Sequence, residues 1–279
     1  MVSYRVMLDV PRELIWFVSG LLAGHRRQIG TRKGTRRLGC YKQAVFALAW
    51  FRDKGDIPRL GRGFGLPQST AYRYLDEVIE VLAARAPGLQ EQLERALAEG
   101  VPYLILDGKI LDGKIVDADR CREKTVSRKG TAIDLWYSGK TRDFGGNIQA
   151  LFYPSGIPLW VSDVLPGNVH DLAAARENVL AVLRPFLDAM PVLADPGYEG
   201  AGHGVHVPVK KPAGVKELDI GTRARNALIR SVRCLGERGF ALLTGRWRTL
   251  RHITTSPRKI GDIVKAGLVL THFEHGTIT

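Results

Sequence analysis

Apolar residues in the first hundred positions recur every three or four residues, the spacing of amphipathic helices. We predict helices starting just after Asp9 and over residues 41–52, 57–63, 68–84 and 89–98. Asp9 is a candidate cap of the first helix and Pro11 suits its first turn. A Gly-rich basic loop separates the first two helices, and Gly65 and Pro67 interrupt the chain before the fourth.

The order of short helix, Gly-containing turn and longer helix is typical of a helix-turn-helix. Ala71, Leu75, Val78, Ile79 and Leu82 form the apolar stripe of the longer helix. Its opposite face carries, at the N-terminal end, polar side chains suited to base edges or phosphates: Gln68, Ser69, Tyr72 and Arg73. An ordinary helical bundle with polar residues facing water is the alternative.

The pattern changes after Gly100, where we place a domain boundary. Short apolar runs over 101–106 and 191–194 predict buried strands, and residues 147–153 and 158–164 predict a hairpin. Helices are predicted over 171–187 and 223–243. The prediction is therefore an all-α helix-turn-helix domain over residues 1–100, followed by an α/β domain with a mixed sheet over 101–279.

Charge points to a polyanionic partner. The chain has 41 Lys and Arg against 28 Asp and Glu, a formal charge of +13, which favours nucleic acid. Six cations and no acid lie between Arg26 and Arg37, including Arg36, and a second basic set runs from Arg246 to Lys259. Both would attract phosphate, although a solvated basic loop is an equal alternative.

Three widely separated cysteines, Cys40, Cys121 and Cys234, support neither a zinc ribbon nor a disulfide framework. No apolar stretch approaches the roughly 18 residues that span a bilayer, and no secretory leader is seen. We expect a cytoplasmic, nucleoid-associated protein without a membrane partner.

Candidate chemistry begins with acids at strand ends. Asp107 and Asp195 each follow an apolar run, and in neighbouring strands both would reach the same sheet edge. Glu237 lies in the late helix and could add a third carboxylate. Oxygen ligands of this kind favour Mg²⁺ or Mn²⁺, and two such ions support phosphodiester displacement. Spacing alone leaves the alternative that these acids are turn, cap or solvated residues.

Six ordered blocks decide between these alternatives: LDG from Leu106, YSGKTRDFGGNIQ from Tyr137, LPGNVHD from Leu165, LADPGYEGAG from Leu193, VPVKKPAG from Val207 and RSVRCLGERGFALL from Arg230. In order and spacing they resemble the catalytic domain of the DDE transposases of small bacterial insertion sequences, relatives of the Harbinger elements. The N-terminal part resembles the helix-turn-helix that precedes this domain.

The resemblance implies a ribonuclease H-like fold in which Asp107, Asp195 and Glu237 bind two Mg²⁺ or Mn²⁺ ions. It assigns Asp171 as an accessory acid or helix cap and Arg233 as a phosphate contact. It also implies a homodimer or higher oligomer on double-stranded DNA, with element ends and target as substrates. We expect Gln68, Ser69, Tyr72, Arg73, Arg36 and Arg37 to contact that DNA.

Two departures keep alternatives open. The family usually has a Lys after the Glu, where this chain has Thr244, with Arg246 as the nearest cation. Asp107 and Asp112 occupy identical pentapeptides, and we choose Asp107 because the apolar strand leads directly into it. The alternatives are a catalytically inactive relic that only binds DNA and a nuclease without strand transfer.

Overall fold

A computed structural model describes residues 8–112, 123–127, 130–214 and 216–277 of the protein, excluding the side chains of residues 110–112 and of Arg233. The chain forms two compact units. One comprises Met1–Ala86, Thr244–Arg251 and Asp262–Thr279, and the other Pro87–Leu243 and His252–Gly261. Along the described part of the chain, no helix combines the length and apolar content needed to cross a bilayer.

The first unit is helical. Its elements are α1 (Arg12–Gln28), α2 (Cys40–Asp53), α3 (Ile57–Gly63), α4 (Gln68–Ala83) and most of α9 (Ile260–Glu274). The predicted apolar stripe of α4 is buried throughout. Phe17 of α1 stacks on Phe273 of α9 at 4.6 Å between ring centres. The last helix therefore belongs to the core of the N-terminal helices.

The predicted helix cap at Asp9 is wrong. Pro11 occupies the cap position of α1, and no side chain caps that end. The Asp9 carboxylate instead accepts hydrogen bonds from Arg52 at 2.7 Å and Arg246 at 3.0 Å. Two guanidinium donors outcompete the backbone amides of a helix end because charge-assisted bonds are the stronger ones.

The second unit is built on a mixed sheet of seven strands. They are β1 (Leu104–Asp112), β4 (Tyr137–Ser138), β5 (Asp143–Phe152), β6 (Pro158–Val161), β7 (Leu165–Pro166), β8 (Val192–Ala194) and β9 (Val205–His206). A separate ribbon pairs β2 (Lys124–Val126) with β3 (Ala132–Asp134). The predicted hairpin is confirmed as β5 and β6.

Strand β1 is the centre of this sheet. It pairs antiparallel with β5 and parallel with β8, which in turn pairs parallel with β9. The prediction that β1 ends before Asp107 is wrong, since pairing with β5 continues from Ile105 to Asp112. Backbone hydrogen bonds to β5 carry the strand through its polar residues, which the apolar pattern could not show.

Side chains alternate between the two faces of the sheet. Leu104 and Leu106 join the core formed with α5 (Leu89–Ala98), α6 (Asp171–Asn178) and α7 (Leu180–Leu183). We call this side the α6 face. The single predicted helix over 171–187 is wrong in one respect: it is interrupted at Val179, whose φ of −128° and ψ of −54° are not helical.

The other side, which we call the α8 face, packs against the long helix α8 (Ile220–Arg246). Phe152 of β5 meets Phe240 of α8 edge to face at 5.0 Å. Glycines make the approach close: a Cβ at Gly239 would lie 2.2 Å from Phe152 Cδ1. A side chain there would push the helix away from the sheet.

The mixed α/β class of the second unit is confirmed, and its strand pairing is compatible with a ribonuclease H-like domain. The compact units group residues differently from 1–100 and 101–279, because α5 packs with the sheet and most of α9 with the first helices. The assignment of those two ranges as DNA-binding and catalytic domains stays a prediction.

Candidate active site

Asp107 and Asp195 lie side by side at the centre of the sheet. Leu106 of β1 is level with Ala194 of β8 in the parallel register, so the two aspartates that follow are also level. Ala194 belongs to the core on the α6 face, and the backbone remains extended at Asp195. Alternation therefore directs both carboxylates to the α8 face.

Helix α8 brings Glu237 to the same face. A Cβ at Gly236 would lie 3.0 Å from Ile105 Cγ2 and 3.6 Å from Asp107 Cβ. Glu237 follows directly and is exposed to solvent. The three predicted catalytic acids thus share one sheet face, although only Asp107 and Asp195 are adjacent in the sheet.

The chemistry of these donors fits a divalent cation that prefers oxygen ligands, such as Mg²⁺ or Mn²⁺. Asp195 is partly committed, since its carboxylate accepts a 2.7 Å bond from the Gly197 amide. Within the described ranges, no three His, Cys, Asp or Glu side chains are already gathered as a metal site. Asp107, Asp195 and Glu237 stay the predicted ligands of such an ion.

Asp171 has a different setting, on the α6 face. Asn147 Nδ2 donates to its Oδ1 at 2.9 Å and Lys140 Nζ donates to its Oδ2 at 2.8 Å. Asp171 is the first residue of α6, whose cap position is His170. Of the two expected roles, the helix cap is therefore wrong.

A buried chain of hydrogen bonds supports Asp171. Tyr198 OH donates to Gln149 Oε1 at 2.6 Å, and Gln149 Nε2 donates to Asn147 Oδ1 at 2.7 Å. All three side chains are at most 1% exposed. Every bond in this chain points its donor toward Asp171, so the Asp171 carboxylate is the final acceptor.

The charges of the site act on Tyr198. Burial, followed by the negative charges of Asp171, Asp107 and Asp195, raises the pKa of Tyr198 well above its ordinary value. The hydroxyl consequently keeps its proton and remains a donor to Gln149.

Gly108 is the residue that lets this chain approach β1. A Cβ there would lie 2.5 Å from Gln149 Nε2, 2.7 Å from Tyr198 OH and 2.8 Å from Asp171 Oδ1. The glycine after Asp107 is therefore required by packing. Gly108 contacts the surroundings of Asp171 on the α6 face, while Asp107, the residue before it, faces α8.

Sequence reasoning missed Lys140, Asn147, Gln149 and Tyr198. Two signals were available: all four lie in the ordered blocks that carry the family resemblance, and Asn147 and Gln149 are two residues apart in β5, which indicates polar contacts on one face. Lys140 lies in an exposed turn between β4 and β5, and nothing in the local pattern shows which acid it meets.

The competing first acid, Asp112, ends β1 opposite Gly145. It is five residues from Asp107, roughly 17 Å along an extended strand, and its side chain lies outside the described residues. The side chain of Arg233 on α8 also lies outside them, so its phosphate contact stays a prediction.

The expected DNA contacts of the first unit fall into two groups. Gln68, Ser69, Tyr72 and Arg73 are exposed at the start of α4, as predicted. Arg37 is exposed too. Arg36 has an internal partner instead, because its guanidinium binds both oxygens of the buried Glu77 at 3.0 and 3.1 Å. DNA contact by any of them stays a prediction.

Arg246, the cation nearest Thr244, is also engaged inside the first unit. It binds the Glu274 carboxylate at 2.5 and 2.8 Å in addition to Asp9. The Arg246 side chain is only 23% exposed to solvent. It is therefore poorly placed to replace the family's Lys.

Comparison with known proteins identifies a family for this sequence. The sequence matches the family of DDE superfamily endonucleases over residues 111–272, more than half of the 279 residues. The matched range includes Asp112, Asp195 and Glu237 and begins just after Asp107. No curated protein matches the sequence. The family match indicates nuclease or transposase-type activity. The chain belongs to the DDE superfamily endonucleases.

Proposed function

We propose that the protein is a transposase that cleaves the terminal inverted repeats of an insertion sequence and joins the resulting 3′ ends to target DNA. The observation that carries this proposal is the level placement of Asp107 and Asp195 in adjacent parallel strands, with Glu237 on the helix packed against them. The family match and the net charge of +13 support a DNA substrate.

In this proposal Asp107, Asp195 and Glu237 hold two Mg²⁺ or Mn²⁺ ions. When bound, such ions activate a water or a 3′ hydroxyl and stabilise the leaving oxygen. The residues of the chain contribute three carboxylates in fixed positions on the sheet and on α8. Their negative charge alone would repel a phosphodiester, so they would position the substrate for in-line attack only through the cations they hold.

End recognition is assigned to the start of α4, as the reading helix of a helix-turn-helix. Gln68, Ser69, Tyr72 and Arg73 are exposed together there, while the opposite stripe is buried. Arg85, exposed just beyond the other end of the helix, is a matched control. Arg73→Ala should weaken binding to the element's ends, and Arg85→Ala should not, in a mobility-shift assay.

The central experiment is cleavage of a labelled duplex carrying the element's own ends. Mg²⁺- or Mn²⁺-dependent nicking at the ends, lost in Asp195→Asn, supports the proposal, and joined products with target DNA support strand transfer. Nicking without joined products would leave a nuclease without strand transfer. Binding without nicking by the unaltered chain would overturn the catalytic assignment.

One observation favours a second candidate, an inactive relic that only binds DNA. Thr244 replaces the family's Lys, and the nearby Arg246 is held by Glu274 and Asp9. In this case the cleavage assay is negative, and Thr244→Lys should restore measurable nicking if the missing cation is the only defect.

A further inference from the structure

We infer that Lys140 is a further substrate-contacting residue: its ammonium binds a DNA phosphate on the α6 face of the sheet, next to the strand that carries Asp107, and Asp171 is the residue that positions it. The inference rests on the proposed function for the identity of the substrate. Lys140 lies in the turn between β4 and β5 and is not one of the three predicted catalytic acids.

The first step is geometric. Lys140 Nζ lies 2.8 Å from Asp171 Oδ2, while the lysine side chain is 62% exposed and that of Asp171 only 10%. One partner is thus fixed inside the fold and the other is open to solvent. A cation held in this way still has donors free for a ligand, because an ammonium carries three.

The second step is rigidity. Asp171 is held from beneath by the chain from Tyr198 through Gln149 to Asn147, all of which are buried. A lysine normally loses considerable rotamer freedom when it binds a phosphate. Because the Asp171 carboxylate already restricts the Lys140 side chain, less rotamer entropy is lost when the ammonium binds a phosphate.

The third step is electrostatic. Burial alone would lower the pKa of Lys140, but the hydrogen bond to Asp171 and the charges of Asp171, Asp195 and Asp107 outweigh it, so this pKa is raised. Its partner Asp171 lies against Gly108, the residue that follows Asp107, with Oδ1 2.8 Å from the position a Cβ would take there. A polyanionic substrate entering an acidic site is repelled unless cations lie beside the acids, and Lys140 supplies one.

This arrangement predicts two opposite effects of removing the charge. Lys140→Gln should weaken DNA binding, because a phosphate contact is lost. It should strengthen divalent-cation binding, because a positive charge no longer repels the ion. A variant that merely failed to fold would lose both kinds of binding, so the pair of measurements separates the two explanations.

DNA binding is measured with a fluorescein-labelled 30-base-pair duplex in Ca²⁺, across a range of salt concentrations. Lys140→Gln should bind about tenfold more weakly, with a salt slope smaller by about 0.9. Lys140→Arg should restore most of the affinity. Mn²⁺ binding, followed by the electron paramagnetic resonance of free Mn²⁺, should become tighter in Lys140→Gln.

Lys124 provides the matched control. It is 61% exposed and forms a 2.8 Å ion pair with Asp134 in the same unit, but on the separate β2–β3 ribbon. Lys124→Gln should change neither DNA nor Mn²⁺ binding. Equal losses of DNA binding in Lys124→Gln and Lys140→Gln would show a general charge effect and overturn the inference.

Asp171→Asn tests the positioning role. In that background Lys140→Gln should cost less DNA affinity than in the unaltered chain, since the anchor is already lost. Equal costs in both backgrounds would overturn the role of Asp171.

These results are separate from cleavage. Loss of the Lys140 effects in a chain that still nicks DNA overturns this inference alone. Their presence in a chain that never nicks supports it and overturns only the catalytic part of the proposed function.

Discussion

The two faces of the central sheet treat their acids differently. On the α6 face, Asn147 and Lys140 each donate a hydrogen bond to one oxygen of Asp171, and a buried chain of hydrogen bonds from Tyr198 leads to Asn147. On the α8 face, Asp107 and Asp195 lie level in neighbouring strands, and Glu237 is exposed to solvent on the packed helix. The comparison teaches that one carboxylate is held by hydrogen bonds within the fold, whereas the other three are the ones that we propose bind divalent cations.

The largest expected effect tests the α8 face directly. Asp107→Asn and Asp195→Asn should each lower cleavage at least about 10³-fold, roughly 4 kcal/mol in activation free energy, because each removes a ligand charge. Asp112→Asn should retain activity within about threefold, being roughly 17 Å along the strand. The reverse result in initial-rate assays would move the first acid to Asp112.

The packing of α8 is the next test. Gly239→Ala would bring a Cβ against Phe152 and should reduce the free energy of unfolding by about 2 kcal/mol. In the same helix, a Cβ at Gly245 has its nearest neighbour at 3.9 Å, so Gly245→Ala should be neutral or slightly stabilising. Thermal unfolding followed by circular dichroism compares them, and equal shifts would contradict close packing at Gly239.

A smaller loss is expected on the α6 face. Tyr198→Phe leaves the buried Gln149 oxygen without its donor and should cost about 1 to 2 kcal/mol of unfolding free energy. Cleavage should fall less than tenfold, because the α8 face is unaffected. Tyr137→Phe, at a residue that is 40% exposed, is the control. A cleavage defect as large as that of Asp195→Asn would break the distinction between the faces.

The smallest effect is the pH dependence of the Lys140 pair. The pKa of Lys140 is raised in the folded protein, so its stabilising contribution is complete below the unfolded pKa and is lost as pH rises through the folded one. The stability difference between the unaltered chain and Lys140→Gln should be constant from pH 6 to 9 and shrink only above about 10.4. A difference that changes across neutral pH in chemical denaturation would indicate another titrating group.

Much of the local structure follows from sequence pattern. Helices α3 and α5 have the predicted bounds, α2 is one residue longer at each end, and α4 ends one residue earlier. Their apolar stripes, breaking residues and lengths are local properties, which periodicity reports. The apolar runs before Asp107 and Asp195 likewise predicted buried strands, and the structure pairs these strands with each other. Glu237 was chosen from the family resemblance.

Pattern failed where a remote partner decides the outcome. Val179 interrupts the helix predicted over 171–187, and β1 continues through Asp107 because β5 pairs with it. Arg36, in a run of basic residues, binds Glu77 of α4. For β1 and Arg36 the deciding contact joins residues that are far apart in sequence, so a local window contains only half of the interaction.

The sequence by itself determined the basic character of the chain, its helix-then-sheet order and the identity of the catalytic family, since composition, periodicity and ordered motifs are carried along the chain. Only the tertiary structure decided that Asp107 and Asp195 are level on one face while Lys140, Asn147, Gln149 and Tyr198 converge on Asp171 on the other. The physical reason is that register and alternation, fixed by backbone hydrogen bonds between distant strands, choose which side chains meet.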